Sequence, residues 1–406
     1  VELGHEVHMY TSHYEAARSF DETRAGGFPV EVHGDFLPRH ILEKGHILFA
    51  MLRSVWLALK VGARCRDRYD VIFCDQVSTY VPVLRMLCPR TRILFYCHHP
   101  DLLLSQPGGL AKRLYRLPFD AIEQVTTALA DRVVVNSLYT KQVYEDTFSV
   151  VRKTARVLYP CVRLDELNAI SPKVKAPSSS IVLLSINRFE RKKNILLAVN
   201  ALVALRALVP DEVYGRVKLV LAGGYDTRVL ENVEYFEEVS AVVRAGGVDD
   251  KVEYRRSFSD AEKIDLLESC TAVVYTPENE HFGIVPIEAM ASARPVLAAM
   301  SGGPMESVVD GETGYLRKSG DAYAFAEAMA KLVSDLPRSQ RMGVAGRERA
   351  TKMFSREGFG QQLEKHCKEI VDEGFPVAAM LMSYVLTLPF LWIVLKLYMY
   401  SVLLCA

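Results

Sequence analysis

Residues 272–290 read AVVYTPENEHFGIVPIEAM and hold a strand, a loop and the start of a helix in close succession. The first five residues are apolar and β-prone, the next seven form a loop with Pro and Gly, and a helix is expected from Ile284 onward. Glu280 lies in the loop and Glu288 about one turn into the helix. Because unpaired amides at a helix start bind anions, this stretch predicts a ligand site at the end of a buried strand.

The two carboxylates suit a nucleotide sugar. Glu288 is placed to accept hydrogen bonds from ribose hydroxyls, while Glu280 and the amides around Gly283 are placed to meet the sugar and the diphosphate. A solvated loop carboxylate followed by a capping helix carboxylate explains the same spacing, so neighbouring motifs must decide. The predicted donor-binding residues of this stretch, besides the two glutamates, are His281, Phe282, Gly283 and Ile284.

Strands and helices alternate on both sides of this stretch, which predicts two doubly wound parallel sheets. We expect a first Rossmann-like domain over 1–162, a linker over 163–180 and a second domain over 181–353, closed by a crossover helix over 354–374. The strands are predicted at 71–74, 92–97, 132–136, 155–159, 181–186, 218–223, 252–254, 272–276 and 295–299. The opening residues 1–11 look like a helix end, a turn and a strand, so a preceding strand and helix are expected to be missing.

Basic residues follow the strand that opens the second domain, in the run NRFERKKN at 187–194. Arg188 and Lys193 are the residues chosen to neutralise a diphosphate and stabilise it as a leaving group. A solvated basic turn is the alternative. Two glycine pairs also follow strands: Gly223 with Gly224, where a ligand can approach the backbone, and Gly302 with Gly303, placed to cradle phosphate or sugar hydroxyls. Tight-turn geometry explains the first pair equally well.

Two histidines follow a buried strand of the first domain. His98 and His99 open the run HHPD at 98–101, so His98, His99 and Asp101 are candidates to contact the sugar or an acceptor. A structural loop histidine is the alternative. The chain contains no D-x-D sequence, and no other His or Cys has ligand spacing to this pair. The sequence therefore predicts neither a metal ion nor a cofactor, with the basic residues taking the place of a metal.

Composition sets few limits on function. The 406 residues allow two domains, and 49 basic residues balance 49 acidic ones. Since no net positive charge is present to attract phosphate backbones, a nucleic-acid partner is not expected. Eight scattered cysteines without a C-x-x-C pair predict reduced thiols.

The tail 375–406 carries a single charge, Lys396, and predicts a membrane segment. Pro389 near its middle leaves a kinked single span and a re-entrant hairpin open, and a buried helix of the second domain is the alternative. Lys365 and Lys368 just upstream favour a cytosolic catalytic body. Residues 47–64 are a second candidate membrane contact, because three basic side chains share a helical face beside apolar ones, although an ordinary packed helix is as good an interpretation.

Together the motifs resemble those of the retaining glycosyltransferases with the GT-B fold, in which two Rossmann-like domains face each other. The E-x7-E spacing, the cations at 188 and 193 and the glycines at 302–303 carry the resemblance. More narrowly, three stretches resemble the dolichol-pathway α-1,3/1,6-mannosyltransferases: FYCHHPDLLL at 95–104, CDQV at 74–77 and NEHFGIVP at 279–286. His99 stands where relatives have an aromatic residue, which makes His98 the better candidate for the family's cleft histidine.

The resemblance implies GDP-mannose as donor, a dolichyl-diphosphate oligosaccharide as acceptor, and a place on the cytosolic face of the endoplasmic reticulum membrane. It also implies other early dolichol-pathway mannosyltransferases as partner proteins. Glu280, His98, Arg188 and Lys193 are then the expected catalytic residues, with a same-face attack preferred over a covalent intermediate on Glu280. Alternatives are a later α-1,2-mannosyltransferase, a soluble transferase using another nucleotide sugar, and an inactive membrane-tethered scaffold.

Overall fold

A computed structural model describes most of the chain, which forms two compact units. Its described residues are 3–15, 19, 21–24, 28–40, 46–66, 68–100, 103, 110–148, 153–164, 167, 180–374 and 376–389. The first unit contains Val1–Asn136, Lys141–Leu158 and Gln362–Ala406, and the second contains Ser137–Thr140 and Tyr159–Gln361. The domain limits stated above stay a prediction, since most of the expected linker, 163–180, lies outside the described residues.

The first unit is built on a parallel sheet. Its strands are β1 Met9–Thr11, β2 Val30–Val32, β3 Val71–Asp75, β4 Arg92–Cys97, β5 Arg132–Val135 and β6 Arg156–Val157. β3-β4-β5-β6 form one sheet in that order, and β1 pairs separately with β2. Every residue of β4 is buried, as expected for an inner strand of a parallel sheet covered on both faces. The strand predicted within residues 1–11 and the four predicted further along this half are confirmed, whereas β2 was not foreseen.

Helices connect these strands. They are α1 Asp21–Arg24, α2 His46–Cys65, α3 Val81–Leu87, α4 Leu110–Ala128 and α5 Leu138–Thr147. α2 buries Val55, Ala58 and Val61 in the core of the first unit. Its Arg53 is buried too, and donates to the carbonyl of Ser12 at 2.8 Å. Arg53 is one of the three basic residues, with Lys60 and Arg64, of the candidate membrane face at 47–64. Because Arg53 is buried, it does not contribute to a charged surface, and these contacts favour a packed helix over one lying on a bilayer.

The second unit contains a six-stranded parallel sheet. Its strands are β7 Ile181–Ile186, β8 Val217–Gly223, β9 Val252–Arg256, β10 Ala272–Tyr275, β11 Val296–Ala299 and β12 Gly314–Arg317, in the order β12-β11-β10-β7-β8-β9. Numbered along the chain from β7 and read from β9, this is the order 3-2-1-4-5-6 of a doubly wound nucleotide-binding sheet. The strand order reverses between β7 and β10, and ligands of such sheets bind where it reverses. The five predicted strands are confirmed, and β12 was missed.

Helices cover both faces of the second sheet. They are α6 Ile195–Leu205, α7 Asp211–Arg216, α8 Leu230–Ala245, α9 Asp260–Ser269, α10 Ile284–Ala291, α11 Pro304–Ser307, α12 Ala322–Ser334 and α13 Leu336–Phe354. Several of these helices begin at N-cap residues of types that favour helix starts. Ser259 and Glu262 form a capping box on α9, and Asp321 accepts from the amide of Ala324 on α12.

Helix α14, Arg356–Asp372, ends against the sheet of the first unit. Arg132 of β5 is buried and donates to Glu369 and, at 2.5 Å, to Glu373. Arg156 of β6 also pairs with Glu369. A helix is therefore present over most of the stretch 354–374, and its last turn forms charged pairs at the sheet edge.

Membrane candidates among the described residues are few. By length and composition α2 is apolar enough to cross a bilayer. Of its most apolar stretch of 18 residues, 28% is buried within the protein. The helical stretch Leu336–Asp372 is long and apolar enough only when it is combined with the next helix, α15 Val377–Pro389. The two are separated by a bend of 93°. α15 exposes Val377, Leu381 and Val385 while burying Ser383 and Thr387, the reverse of a water-facing helix. Residues 390–406 of the predicted membrane segment lie outside the described residues.

Candidate functional site

The loops after β7 and β10 lie side by side, because these strands are neighbours in a parallel sheet. Their carboxyl ends carry the basic run and the loop with the first glutamate. Lys193 ends a single turn of 3-10 helix, Arg191–Lys193, and Asn194 follows with φ of 48°. The hydroxyl of Thr276 donates to the carbonyl of Lys193 at 2.7 Å, which fastens the two loops together.

Lys193 and Glu280 form an ion pair across these loops. The Nζ of Lys193 lies 2.5 Å from Oε2 of Glu280, with side-chain exposures of only 17% and 26%. Below them lies the buried Tyr275, whose pKa is raised by burial and by the Glu280 carboxylate. Two residues that sequence placed 87 positions apart thus share one charged centre.

The glycine pair 302–303 packs against the Glu280 loop. A Cβ at Gly302 would lie 2.3 Å from the carbonyl oxygen of Glu280, and one at Gly303 would lie 2.2 Å from that of Phe282. The amide of Gly303 donates to the Glu280 carbonyl at 2.8 Å. Both glycines are therefore required by the close approach of two backbones, which sets the position of Glu280 whether or not they touch a ligand.

α10 begins directly after this loop. Gly283 precedes it with φ of 78°, and no side chain caps its first amides. Within it, Glu288 accepts from Nζ of Lys263 on α9 at 2.9 Å, and only 15% of its side chain is exposed. The helix thus offers amides and an oriented carboxylate on one side, a combination that suits a phosphate and a pair of ribose hydroxyls.

Two predicted donor-binding residues have other tasks. The ring of Phe282 is buried and packs on Tyr159 and Phe354, with centroids 6.1 and 5.7 Å away. The carbonyl of His281 accepts from Ser137 and from Thr140. Of Phe282, only the main chain is therefore placed to meet a ligand, whereas Ile284 is 39% exposed at the start of α10.

Arg188 borders an open pocket of about 600 Å³ at the ends of β7 and β8. Its guanidinium is 72% exposed and 3.7 Å from Glu190. Gly223 has no room for a side chain, since a Cβ would lie 1.7 Å from the carbonyl oxygen of Asn187. Gly224 lines the pocket next to Tyr225 and Asp226. The pocket and the Lys193 centre flank the same loop.

In the first unit, His98 follows β4 and bonds to Asp75, the last residue of β3. Its Nε2 lies 2.8 Å from Oδ1 of Asp75, and both side chains are well exposed. Its main-chain oxygen accepts from the side-chain Nδ2 of Asn136 at 3.3 Å. His99 is partly buried. Asp101 lies outside the described residues.

Sequence reasoning did not assign roles to Lys263, Asp75 or Tyr275. Each touches a predicted site residue from another strand or helix, so its part depends on pairing in space. The only local signal was position: Asp75 and Tyr275 end strands at the ligand-binding edge of a sheet. Among the described residues no group of three His, Cys, Asp or Glu could hold a metal ion. A metal-free site stays a prediction.

Two family profiles together match most of the chain. "Glycosyltransferase Family 4" matches residues 1–166, and "Glycosyl transferases group 1" matches residues 168–349. Among solved structures, a glycosyltransferase from Rickettsia africae has a TM-score of 0.69 at 17% identity, covering 92% of each chain. A sucrose-phosphate synthase from Thermosynechococcus elongatus has a TM-score of 0.60 at 22% identity, covering 79% of this chain and 78% of its own. These likenesses show the GT-B fold.

Curated relatives are much closer in sequence. Alpha-1,3/1,6-mannosyltransferase ALG2 of Homo sapiens is 44% identical over 375 residues, covering 91% of this chain and 89% of its own. The protein of the same name from Mus musculus is 41% identical, with coverages of 91% and 90%. That from Dictyostelium discoideum is 37% identical, with 90% of each chain covered.

The glycine pair yields a test of the loop packing. Gly303→Ala places a methyl group 2.2 Å from the Phe282 carbonyl oxygen, so the Glu280 loop must shift and we expect a loss of about 1–3 kcal/mol in unfolding free energy. The measurement is denaturant unfolding. Gly215→Ala is the matched control, because nothing lies within 4 Å of its Cβ and it sits in α7. Equal stability of the two variants would contradict the packing described here.

Proposed function

The chain belongs to the family of α-1,3/1,6-mannosyltransferases, and from that premise we propose that it transfers mannose from GDP-mannose to a dolichyl-diphosphate-linked oligosaccharide. It is a hexose-transferring enzyme of lipid-linked oligosaccharide assembly. The observation that carries the proposal is the Lys193–Glu280 pair at the reversal of strand order, beside the uncapped start of α10. The proposed acceptor carries two GlcNAc residues and one mannose, and receives an α-1,3 and then an α-1,6 mannose.

The donor's diphosphate is the group that the cations suit. Lys193 lies on the loop after β7, and Arg188 is the exposed guanidinium on the same loop. Together with the amides at the start of α10, they offer positive charge from two directions. Glu288 takes the ribose hydroxyls, and Lys263 holds its carboxylate in place. Gly223 and Gly224 leave the backbone open beside the nucleotide.

In the reaction, the bond between C1 of mannose and the diphosphate oxygen breaks while C1 bonds to an acceptor hydroxyl oxygen. The hydroxyl proton passes to the departing phosphate oxygen on the same face of the sugar, so the α configuration is retained. Arg188 and Lys193 stabilise the charge that grows on GDP. No metal ion is needed for this role in the proposal.

Glu280 is proposed to position mannose. Its carboxylate already accepts from Lys193 at 2.5 Å and lies beside Tyr275, and such partners lower the nucleophilicity of an oxygen. A double displacement through Glu280 is the alternative mechanism. A mannosyl adduct isolated on Glu280 would establish it and overturn the same-face attack.

His98, on the first unit, is proposed to contact a sugar hydroxyl. Gly302 and Gly303 act indirectly, by holding the Glu280 loop. Membership in a family of transferases does not favour an inactive scaffold, and the relatives' names do not favour a later α-1,2-mannosyltransferase. Other early dolichol-pathway mannosyltransferases remain proposed partners.

The first test is transfer itself. Purified full-length protein is given GDP-mannose and a polyprenyl-diphosphate acceptor with two GlcNAc residues and one mannose. We expect two mannoses to be added, and linkage analysis to find one α-1,3 and one α-1,6 bond. Extension from UDP-glucose instead, or no extension of this acceptor by folded wild-type protein, would refute the donor and acceptor assignment.

Site variants test the donor contacts. Glu288→Ala removes charged hydrogen bonds to the ribose, so the KM for GDP-mannose should rise about 10- to 100-fold. Lys193→Ala removes a donor to the leaving diphosphate, so kcat should fall about 10²- to 10³-fold. Lys192→Ala is the matched control. Lys192 lies in the same turn, its side chain is 70% exposed, and it pairs with Glu190 rather than with Glu280. If Lys193→Ala and Lys192→Ala behave alike, the site model fails.

We also propose that the catalytic units lie on the cytosolic face of the endoplasmic reticulum membrane. Association with that membrane follows from the family, and Lys368, 68% exposed, precedes the apolar segment as cytosolic flanks do. Protease added to sealed microsomes should digest both units while a lumenal marker stays protected. Protection of either unit until detergent is added would place it in the lumen and contradict the proposal.

A further inference from the structure

Asp75 and His98 form a side-chain pair at the ligand-binding edge of the first sheet. β3 and β4 pair in parallel with Asp75 opposite Tyr96, so His98 follows two residues beyond that register. The chain turns there and brings Nε2 of His98 to 2.8 Å from Oδ1 of Asp75. The pair therefore arises from the end of two neighbouring strands, where open α/β sheets bind ligands.

Both residues are held by their surroundings. The hydroxyl of Tyr80 donates to the carbonyl of Asp75 at 2.5 Å. Gln76, next in the chain, adopts φ of 65°, a costly conformation for a residue other than glycine. The ring of Tyr96 contacts the His98 imidazole edge-on, with 4.5 Å between the ring centroids. The side-chain amide of the buried Asn136 donates to the His98 carbonyl. Three strands thus fix the position and tilt of this imidazole.

The contact also decides which ring nitrogen faces outward. A carboxylate can only accept, so Nε2 carries the hydrogen that the bond requires, and Nδ1 of the neutral ring is left as an acceptor. Side-chain exposures of 43% for His98 and 54% for Asp75 leave the ring open to a ligand. The ring therefore presents an acceptor nitrogen of fixed direction to an incoming hydroxyl group.

We propose that Asp75 is a positioning residue for transfer, acting only through His98, whose Nδ1 accepts a hydrogen bond from a sugar hydroxyl. This rests on the proposed function, which gives His98 its contact with sugar. Asp75 itself touches no substrate. Without its carboxylate the imidazole can rotate and exchange tautomers, so the hydroxyl is less often held in the reactive direction.

A double-mutant cycle tests the proposal. Asp75→Ala should lower kcat for mannose transfer about 10- to 100-fold, the effect of losing one charge-assisted hydrogen bond, with the KM for GDP-mannose within about twofold of wild type. In a His98→Ala background, the further change Asp75→Ala should have almost no effect on kcat. Affinity for GDP and the thermal midpoint should stay unchanged, since Asp75 is exposed. Asp146→Ala is the matched control, an exposed aspartate on α5.

The outcomes separate this inference from the function on which it rests. If His98→Ala lowers transfer but Asp75→Ala does not, the positioning role is wrong and the role of His98 stands. If Asp75→Ala lowers kcat as much in the His98→Ala background as in the wild type, Asp75 acts by another route. If His98→Ala leaves transfer intact, the proposed contact of His98 with sugar falls, and the inference falls with it.

Discussion

The ion pair between Lys193 and Glu280 is the contact on which the second unit's site depends. It exists because the strand order reverses between β7 and β10, so that two loops leave the sheet at the same edge on neighbouring strands. Both side chains are partly shielded from water, so removing one member leaves the other charge without its partner. An ammonium has three N–H donors, so Lys193 can keep its bond to Glu280 while it meets the proposed diphosphate.

Close backbone packing supports that pair. The chain at Gly302 and Gly303 runs against the main chain of Glu280 and Phe282, and Gly223 lies against Asn187 in the same manner. These contacts position the two charged loops without using any side chain. A glycine-rich sequence near a phosphate site is commonly read as a cradle for the phosphate, but here the first task of the glycines is to bring loops together.

The two units follow one plan with different chemistry. Each presents its polar groups at the carboxyl ends of adjacent parallel strands: Asp75 and His98 in the first unit, Lys193 and Glu280 in the second. In the first pair the Asp75 carboxylate holds the imidazole of His98, which we propose accepts a hydrogen bond from a hydroxyl group. The second offers positive charge and a carboxylate, which suit a sugar diphosphate. This division matches an enzyme that joins a neutral acceptor hydroxyl to an activated sugar.

The sequence by itself determined the α/β alternation and ten of the twelve described strands, and it indicated Arg188, Lys193, Glu280 and Glu288 as candidate site residues, because apolar period and motif spacing are local properties of the chain. Only the tertiary structure decided which charged side chains form pairs. These are Lys193 with Glu280, Lys263 with Glu288 and Asp75 with His98. It also showed that Arg53 is buried and that the ring of Phe282 belongs to the core. The reason is physical: strand order and loop packing bring together residues far apart in the chain, and one sequence pattern is compatible with many such pairings.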